Sequence, residues 1–173
     1  MGKQLLFCVE TDKSTRTDVI YIREMIKHFF GAIPDTVKVD FICMGGKNKY
    51  KNRDIVREIK DKIKMYERIG KTEVIYCIDT DKYESNAVQK KELDEIVKYC
   101  DDNNYRLVWF CHDVEEVYLG KTIENSDKKK ASIEFQKNKK MENVDKNKLM
   151  SKTMGKAKSN IMNVLQEVIR KAD

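Results

Sequence analysis

Four short apolar runs recur along this chain, each followed by a stretch whose apolar residues return every three or four positions. The runs are Leu5-Leu6-Phe7-Cys8-Val9, Val37 to Cys43, Val74 to Ile78 and Leu107 to Cys111. Runs of this length bounded by polar residues read as strands. The stretches between them read as helices. One begins at Thr17 or Asp18, either a candidate cap, and runs to about Phe30 with Ile22, Met25, Ile26 and Phe29 on one face; Gly31 stops it. A second spans about Asn52 to Ile69, a third ends near Asp102, and Val114 to Gly120 makes a short helical turn.

Strand then helix, four times over, predicts an α/β fold: a small four-stranded, mainly parallel sheet with helices on both faces and right-handed crossovers. The alternation of Val37-Lys38-Val39-Asp40 marks the second strand as a half-exposed edge. The expected order is 2-1-3-4, which makes strands 1 and 3 neighbours across the topological switch point. Residues 1–120 are expected to form this domain. Residues 121–173 then form a Lys-rich segment, weakly helical or mobile between Ile123 and Asn143, and a terminal amphipathic helix packing on the sheet through Ile161, Met162, Leu165, Val168 and Ile169.

Composition narrows the setting. The 173 residues are 40% hydrophobic and 37% charged, and no run approaches the roughly 18 apolar residues of a membrane span. The opening apolar run is too short for a signal peptide, and Leu6 stands where myristoylation calls for Ser or Thr. Five cysteines without a CxxC spacing read as buried, reduced thiols of a cytoplasmic protein. The net charge of +6 is unevenly spread: residues 128–158 carry eleven lysines against three acids, a local +8 that leaves −2 for the rest. A basic tail on a slightly acidic body suits a polyanionic partner, DNA or RNA; a solvated lysine-rich helix gives the same composition.

Candidate chemistry gathers at the strand ends. Val74-Ile75-Tyr76-Cys77-Ile78 runs into Asp79-Thr80-Asp81. Residues two apart on an extended chain point the same way, so the two aspartates are expected to project together from the carboxyl edge, where open α/β sheets bind ligands. Glu10, ending the neighbouring strand, adds a third carboxylate. Three carboxylates in one cleft repel one another, and a divalent cation relieves the repulsion. Oxygen donors suit Mg²⁺ or Mn²⁺, which can hold a phosphodiester. Glu10, Asp79 and Asp81 are therefore the expected metal ligands, and Glu10 alternatively a general acid or base. Glu116, after the fourth strand, is an expected accessory acid on the same edge. Lys13, three residues after Glu10, is a candidate phosphate contact, as are Gly45 and Gly46, a glycine pair followed by lysines after the second strand. Each of these also reads as an ordinary surface lysine or a flexible basic loop.

This order of acids resembles the Toprim domain of topoisomerases, DnaG-type primases and nucleases related to the overcoming-lysogenization-defect proteins, and more closely its RloB-like branch, found with bacterial defence systems. Glu10-Thr11-Asp12-Lys13-Ser14-Thr15 is similar to a first motif beginning Glu-Gly, with Tyr21 as the aromatic that follows. Asp79-Thr80-Asp81 is similar to the Asp-x-Asp motif, and Glu115-Glu116-Val117-Tyr118-Leu119 to a third motif with Glu116 in the glutamate place. The likeness covers roughly residues 4–120. It implies Mg²⁺-dependent nuclease or nucleotidyl-transfer chemistry in prokaryotic defence or a mobile element. Thr11 stands where the family has glycine, and His112-Asp113 depart from the pattern before the third motif. Two other readings stay open: a non-catalytic adaptor of Toprim shape that binds nucleic acid or a protein subunit, and a flavodoxin-shaped binder of a small phosphate compound.

Overall fold

A computed structural model describes residues 2–170. Its centre is a sheet of order β2-β1-β3-β4-β5. Strands β1 (Gly2–Val9), β2 (Val37–Cys43), β3 (Gly70–Asp79) and β4 (Arg106–Cys111) are parallel, and β5 (Lys158–Ser159) joins antiparallel, with Phe110 opposite Ser159 and Cys111 opposite Lys158. The order of the first four strands and the edge position of β2 agree with the alternation in the sequence. The four-stranded expectation needs correcting: the sheet has five strands and is mixed. A two-residue strand leaves no hydrophobic period to read, and side-chain bonds from the next residue reinforce its pairing with β4. Asn160 accepts from the Trp109 N–H (3.0 Å) and donates to the Leu107 carbonyl (2.9 Å), tying this segment to β4.

Helices α1 (Thr17–Phe30), α2 (Arg53–Tyr66), α3 (Ala87–Asp102), α4 (Val114–Leu119), α5 (Lys128–Lys137), α6 (Lys146–Leu149) and α7 (Ile161–Arg170) cover both faces. Alternate residues of each strand face opposite ways, which divides the core in two. Leu5, Phe7, Val9, Ile75, Cys77, Val108 and Phe110 pack with α1, α4, α5 and α7; Leu6, Cys8, Ile42, Val74, Tyr76 and Ile78 pack with α2 and α3. All five cysteines are buried and unbridged.

The start of α1 departs from the capping reading. Arg16 occupies the cap position in a left-handed conformation with no side-chain cap bond, while Thr17 and Asp18 lie inside the first turn. In the segment from Ile123 to Asn143 the helical one of the two expected alternatives is found. It contains α5 and a 3₁₀ turn (Lys140–Asn143), and Phe135 is fully buried against Tyr21 and Tyr118, with ring centroids 5.0 and 5.9 Å away. The chain beyond residue 120 thus completes the same core as the chain before it, through Phe135, Met141, Leu149, Ile161 and Leu165. No helix among the described residues is long and apolar enough to cross a membrane.

Candidate functional site, an acidic cleft at the carboxyl edge

Strand β1 ends at Val9 and pairs with β3 through Val9 and Cys77, so Glu10 and Asp79 leave the sheet side by side. The backbone locks the two together: the Asp79 N–H donates to Glu10 Oε1 at 2.7 Å. Asp79 Oδ1 in turn accepts from the Val114 N–H at the start of α4, at 3.0 Å. The loop after β2 secures Glu10 from the other side. Met44, Gly45 and Gly46 donate their N–H groups to the carbonyls of Val9, Thr11 and Glu10 at 2.8, 3.2 and 2.7 Å. Gly45 and Gly46 both have positive φ, 72° and 132°, a conformation a side chain would strain. Their N–H groups are engaged with the chain after β1, so this loop positions the acid rather than offering a ring of free donors.

Above these ends opens a cavity of about 470 Å³, lined by Glu10, Thr11, Asp18, Gly45 and Asp79 and, from the chain before and within α5, Asn125, Ser126, Lys128 and Lys129. It sits over β1 and β3, where the chain's crossovers change direction, the place where open α/β sheets take their ligands. The sequence reading missed Asp18 as part of this site. Its periodicity marked it only as a helix start; here its Oδ2 accepts the Thr11 N–H at 3.1 Å and its carboxyl joins the two strand-end acids. A fourth acid, Glu115, lies fully buried behind them. Lys128 Nζ stands 2.8 Å from Glu115 Oε2, a largely buried ion pair.

The electrostatics are those of crowded carboxylates. Desolvation pushes the Glu10 carboxyl up to about 8, with the Asp79 N–H pulling the other way and Asp18 adding to the rise. Burial, then the neighbouring Glu10, holds Asp79 well above the usual carboxylate range. Asp18 is raised by burial despite the hydrogen bond from Thr11. Each of these protons would be displaced by a cation, because nearby positive charge favours the ionised form.

Asp81 does not share this space. Strand β3 stops at Asp79, and Asp81 adopts a left-handed conformation (φ 51°), so the two-residue repeat of an extended strand no longer applies. Its carboxylate bonds the Lys47 ammonium, which also reaches Glu92 (3.5 Å) and the Asp79 carbonyl (3.3 Å). Burial opposes the charge on Lys47, but the Asp81 carboxylate outweighs it and holds the ammonium above its usual range. Among the described residues, Glu10, Asp79 and Asp81 do not bring three ligand atoms within 4.8 Å of one another. Lys13 is exposed and faces Glu58 at 3.7 Å, outside the cavity lining. Glu116 is buried and engaged elsewhere: its Oε2 accepts from the His112 N–H (2.9 Å) and lies 3.0 Å from His112 Nδ1. The structure thus groups Glu10 and Asp79 with Asp18, and places Asp81, Lys13 and Glu116 outside that group.

Glu10, Asp18 and Asp79 do not bring three ligand atoms within 4.8 Å of one another either, so as they stand they are oxygen donors without a closed ligand set. Mg²⁺ is commonly held by one or two carboxylates, with waters and phosphate oxygens completing its octahedron. Glu10, Asp79 and Asp18 offer carboxylate oxygens whose protein partners are mainly backbone N–H groups, and they face open space in the cavity. Comparison with family models, with curated proteins and with solved structures returns no match to this chain.

Proposed function

We propose that this protein processes phosphodiesters with a divalent cation, as a nuclease acting on DNA or RNA, and that the acidic cleft over β1 and β3 is its site. The observation that carries the reading is the cleft's two-sided lining: Glu10 and Asp79 at the strand ends with Asp18 at the start of α1, and Lys128 and Lys129 on the basic segment above. Carboxylates that burial keeps short of ionising have room and reason to take a cation. Lys129, exposed across the same cavity, has room to take the phosphate that such a cation binds.

Glu10 and Asp79 would hold Mg²⁺ or Mn²⁺, with Asp18 beside them. When bound, the ion would supply charge stabilisation for phosphoryl transfer. The chain's own groups do the rest. The Asp79 N–H and the Gly46 N–H fix Glu10 in place. The Val114 N–H fixes Asp79. Lys129, exposed at the rim, meets backbone phosphates without reading bases, so binding would tolerate sequence and weaken with salt. The resemblance to Toprim domains of the RloB-like branch supports the same chemistry and a role in prokaryotic defence.

A second reading has its own observation. Asp81, the second acid of the Asp-x-Asp motif, is paired internally by Lys47. A cleft with one aspartate neutralised in this way also suits an adaptor that binds nucleic acid or a protein subunit without cutting it. Cleavage assays separate the two. With Mg²⁺ or Mn²⁺, single- and double-stranded DNA and RNA are offered to the full chain, to Glu10→Gln and to Asp79→Asn. The enzyme reading expects chelator-sensitive cleavage that falls by roughly 100-fold, about 2.7 kcal/mol of barrier, in either variant. Binding without cleavage, unchanged in both variants, selects the adaptor.

A further inference from the structure

A second constellation lies on the same sheet edge, beyond Asp81, and uses different donors. Strand β4 ends in Cys111, and His112 follows. Glu84 reaches them from the turn between β3 and α3. One ligand atom each from Glu84, Cys111 and His112 lies within 4.8 Å of the other two. That is the spread of atoms around a single ion, since donors about 2.0–2.3 Å from a zinc centre stand within roughly 4.6 Å of one another.

We infer that Glu84, Cys111 and His112 form a binding site for a borderline-soft divalent transition metal, of which Zn²⁺ is the best fit. Sulfur, imidazole and carboxylate together do not suit Mg²⁺, whose sites are all oxygen; they suit Zn²⁺. The geometry around the ligands points the same way. Glu116 Oε2 lies 3.0 Å from His112 Nδ1 and also accepts the His112 backbone N–H at 2.9 Å. A carboxylate on Nδ1 fixes the ring and directs Nε2 outward, the arrangement by which metal-binding histidines are oriented. Nε2 already faces Glu84, at 3.1 Å from both carboxylate oxygens. The exposed Lys156 ammonium stands 3.8 Å from Glu116 Oε1.

The set is three protein ligands, with Glu84 exposed and Cys111 fully buried. Three ligands leave a fourth tetrahedral position for water or another small donor. On binding, the Cys111 thiol gives its proton to solvent and the metal–sulfur bond replaces the sulfur–hydrogen bond. The ion would clamp the turn before α3 to the end of β4. Glu116 is then a positioning residue for His112.

Cobalt(II) substitution tests this directly, because a thiolate ligand gives a sulfur-to-cobalt charge-transfer band that oxygen and nitrogen ligands do not. The full chain, reduced and metal-free, is titrated with Co²⁺ and then with competing Zn²⁺. The expected result is one charge-transfer chromophore per chain, bleached by one equivalent of Zn²⁺ and untouched by millimolar Mg²⁺. Cys111→Ser should abolish the band. Glu84→Gln and His112→Gln, both at positions with solvent access, should weaken Zn²⁺ binding sharply in a chain whose circular dichroism is unchanged. Glu116→Gln should weaken it by about 10- to 100-fold. Absence of the band in the parent chain overturns the site, as does a band with unchanged affinity in both Glu84→Gln and His112→Gln. Glu10→Gln and Asp79→Asn should keep the band, so this site and the acidic cleft succeed or fail separately.

Discussion

Lys128 and Glu115 show how much a single residue pair carries in this molecule. Glu115 is fully buried, and Lys128, one-quarter exposed, is the cation against it. Truncating one partner of a buried pair strands the other's charge. Lys128→Met should therefore cost about 3 kcal/mol in urea unfolding, and adding Glu115→Leu should recover most of it. An equal loss in the double variant would contradict the pairing. Neither residue stood out in the sequence: Lys128 is one lysine among eleven in its segment, and Glu115 was read only as the neighbour of Glu116. Glu10 and Asp79, by contrast, were legible, because an acid directly after an apolar strand has one place to go. Asp81 was not. Its position follows from a left-handed turn, which an Asp-Thr-Asp triplet does not announce.

Hydrophobic period located every parallel strand and helices α1 to α4 and α7, and it failed where an element carries few apolar positions. Strand β5 is two residues long, and α5 carries few apolar positions, its packing concentrated in Phe135. Phe135→Ala should destabilise the protein by about 3–5 kcal/mol, measured by urea denaturation, because its buried ring packs edge-on against the stacked Tyr21 and Tyr118 rings. A loss below about 1 kcal/mol would mean that α5 is not part of the cooperative core. The edge strand offers a pH test. Burial works against the Asp40 charge on β2, but Lys38 at 2.8 Å and the Gln4 amide at 2.6 Å outweigh it and hold the carboxyl below its usual range. A depressed folded-state value contributes stability above the unfolded value of about 3.9 and loses it as pH falls through the folded value. The melting temperature of Asp40→Asn should thus lie below that of the parent at pH 6, with the gap closing below pH 4. A gap that is constant with pH would contradict the ion pair.

For the whole molecule, the organising feature is that a basic segment closes over an acidic sheet edge. The segment's net charge of +8 was plain in the sequence, and so was the expectation of a polyanion. Its location was not, since composition cannot say which face a lysine-rich helix covers. Its placement puts Lys129 on the rim of the cavity that holds Glu10 and Asp79. If nucleic acid binds there, Lys129→Ala should lower affinity uniformly across sequences. It should also reduce the slope of log affinity against log salt by about 0.7 to 0.9, one phosphate contact. An unchanged slope would move the nucleic acid elsewhere. The central claim, that crowded strand-end carboxylates hold a divalent cation, is tested most directly by anomalous scattering from a crystal of the full chain soaked in Mn²⁺. A manganese peak is expected in the cleft, bonded to Glu10 or Asp79 and lost in Asp79→Asn. A cleft without manganese, or manganese bound only at Asp81, would contradict the claim.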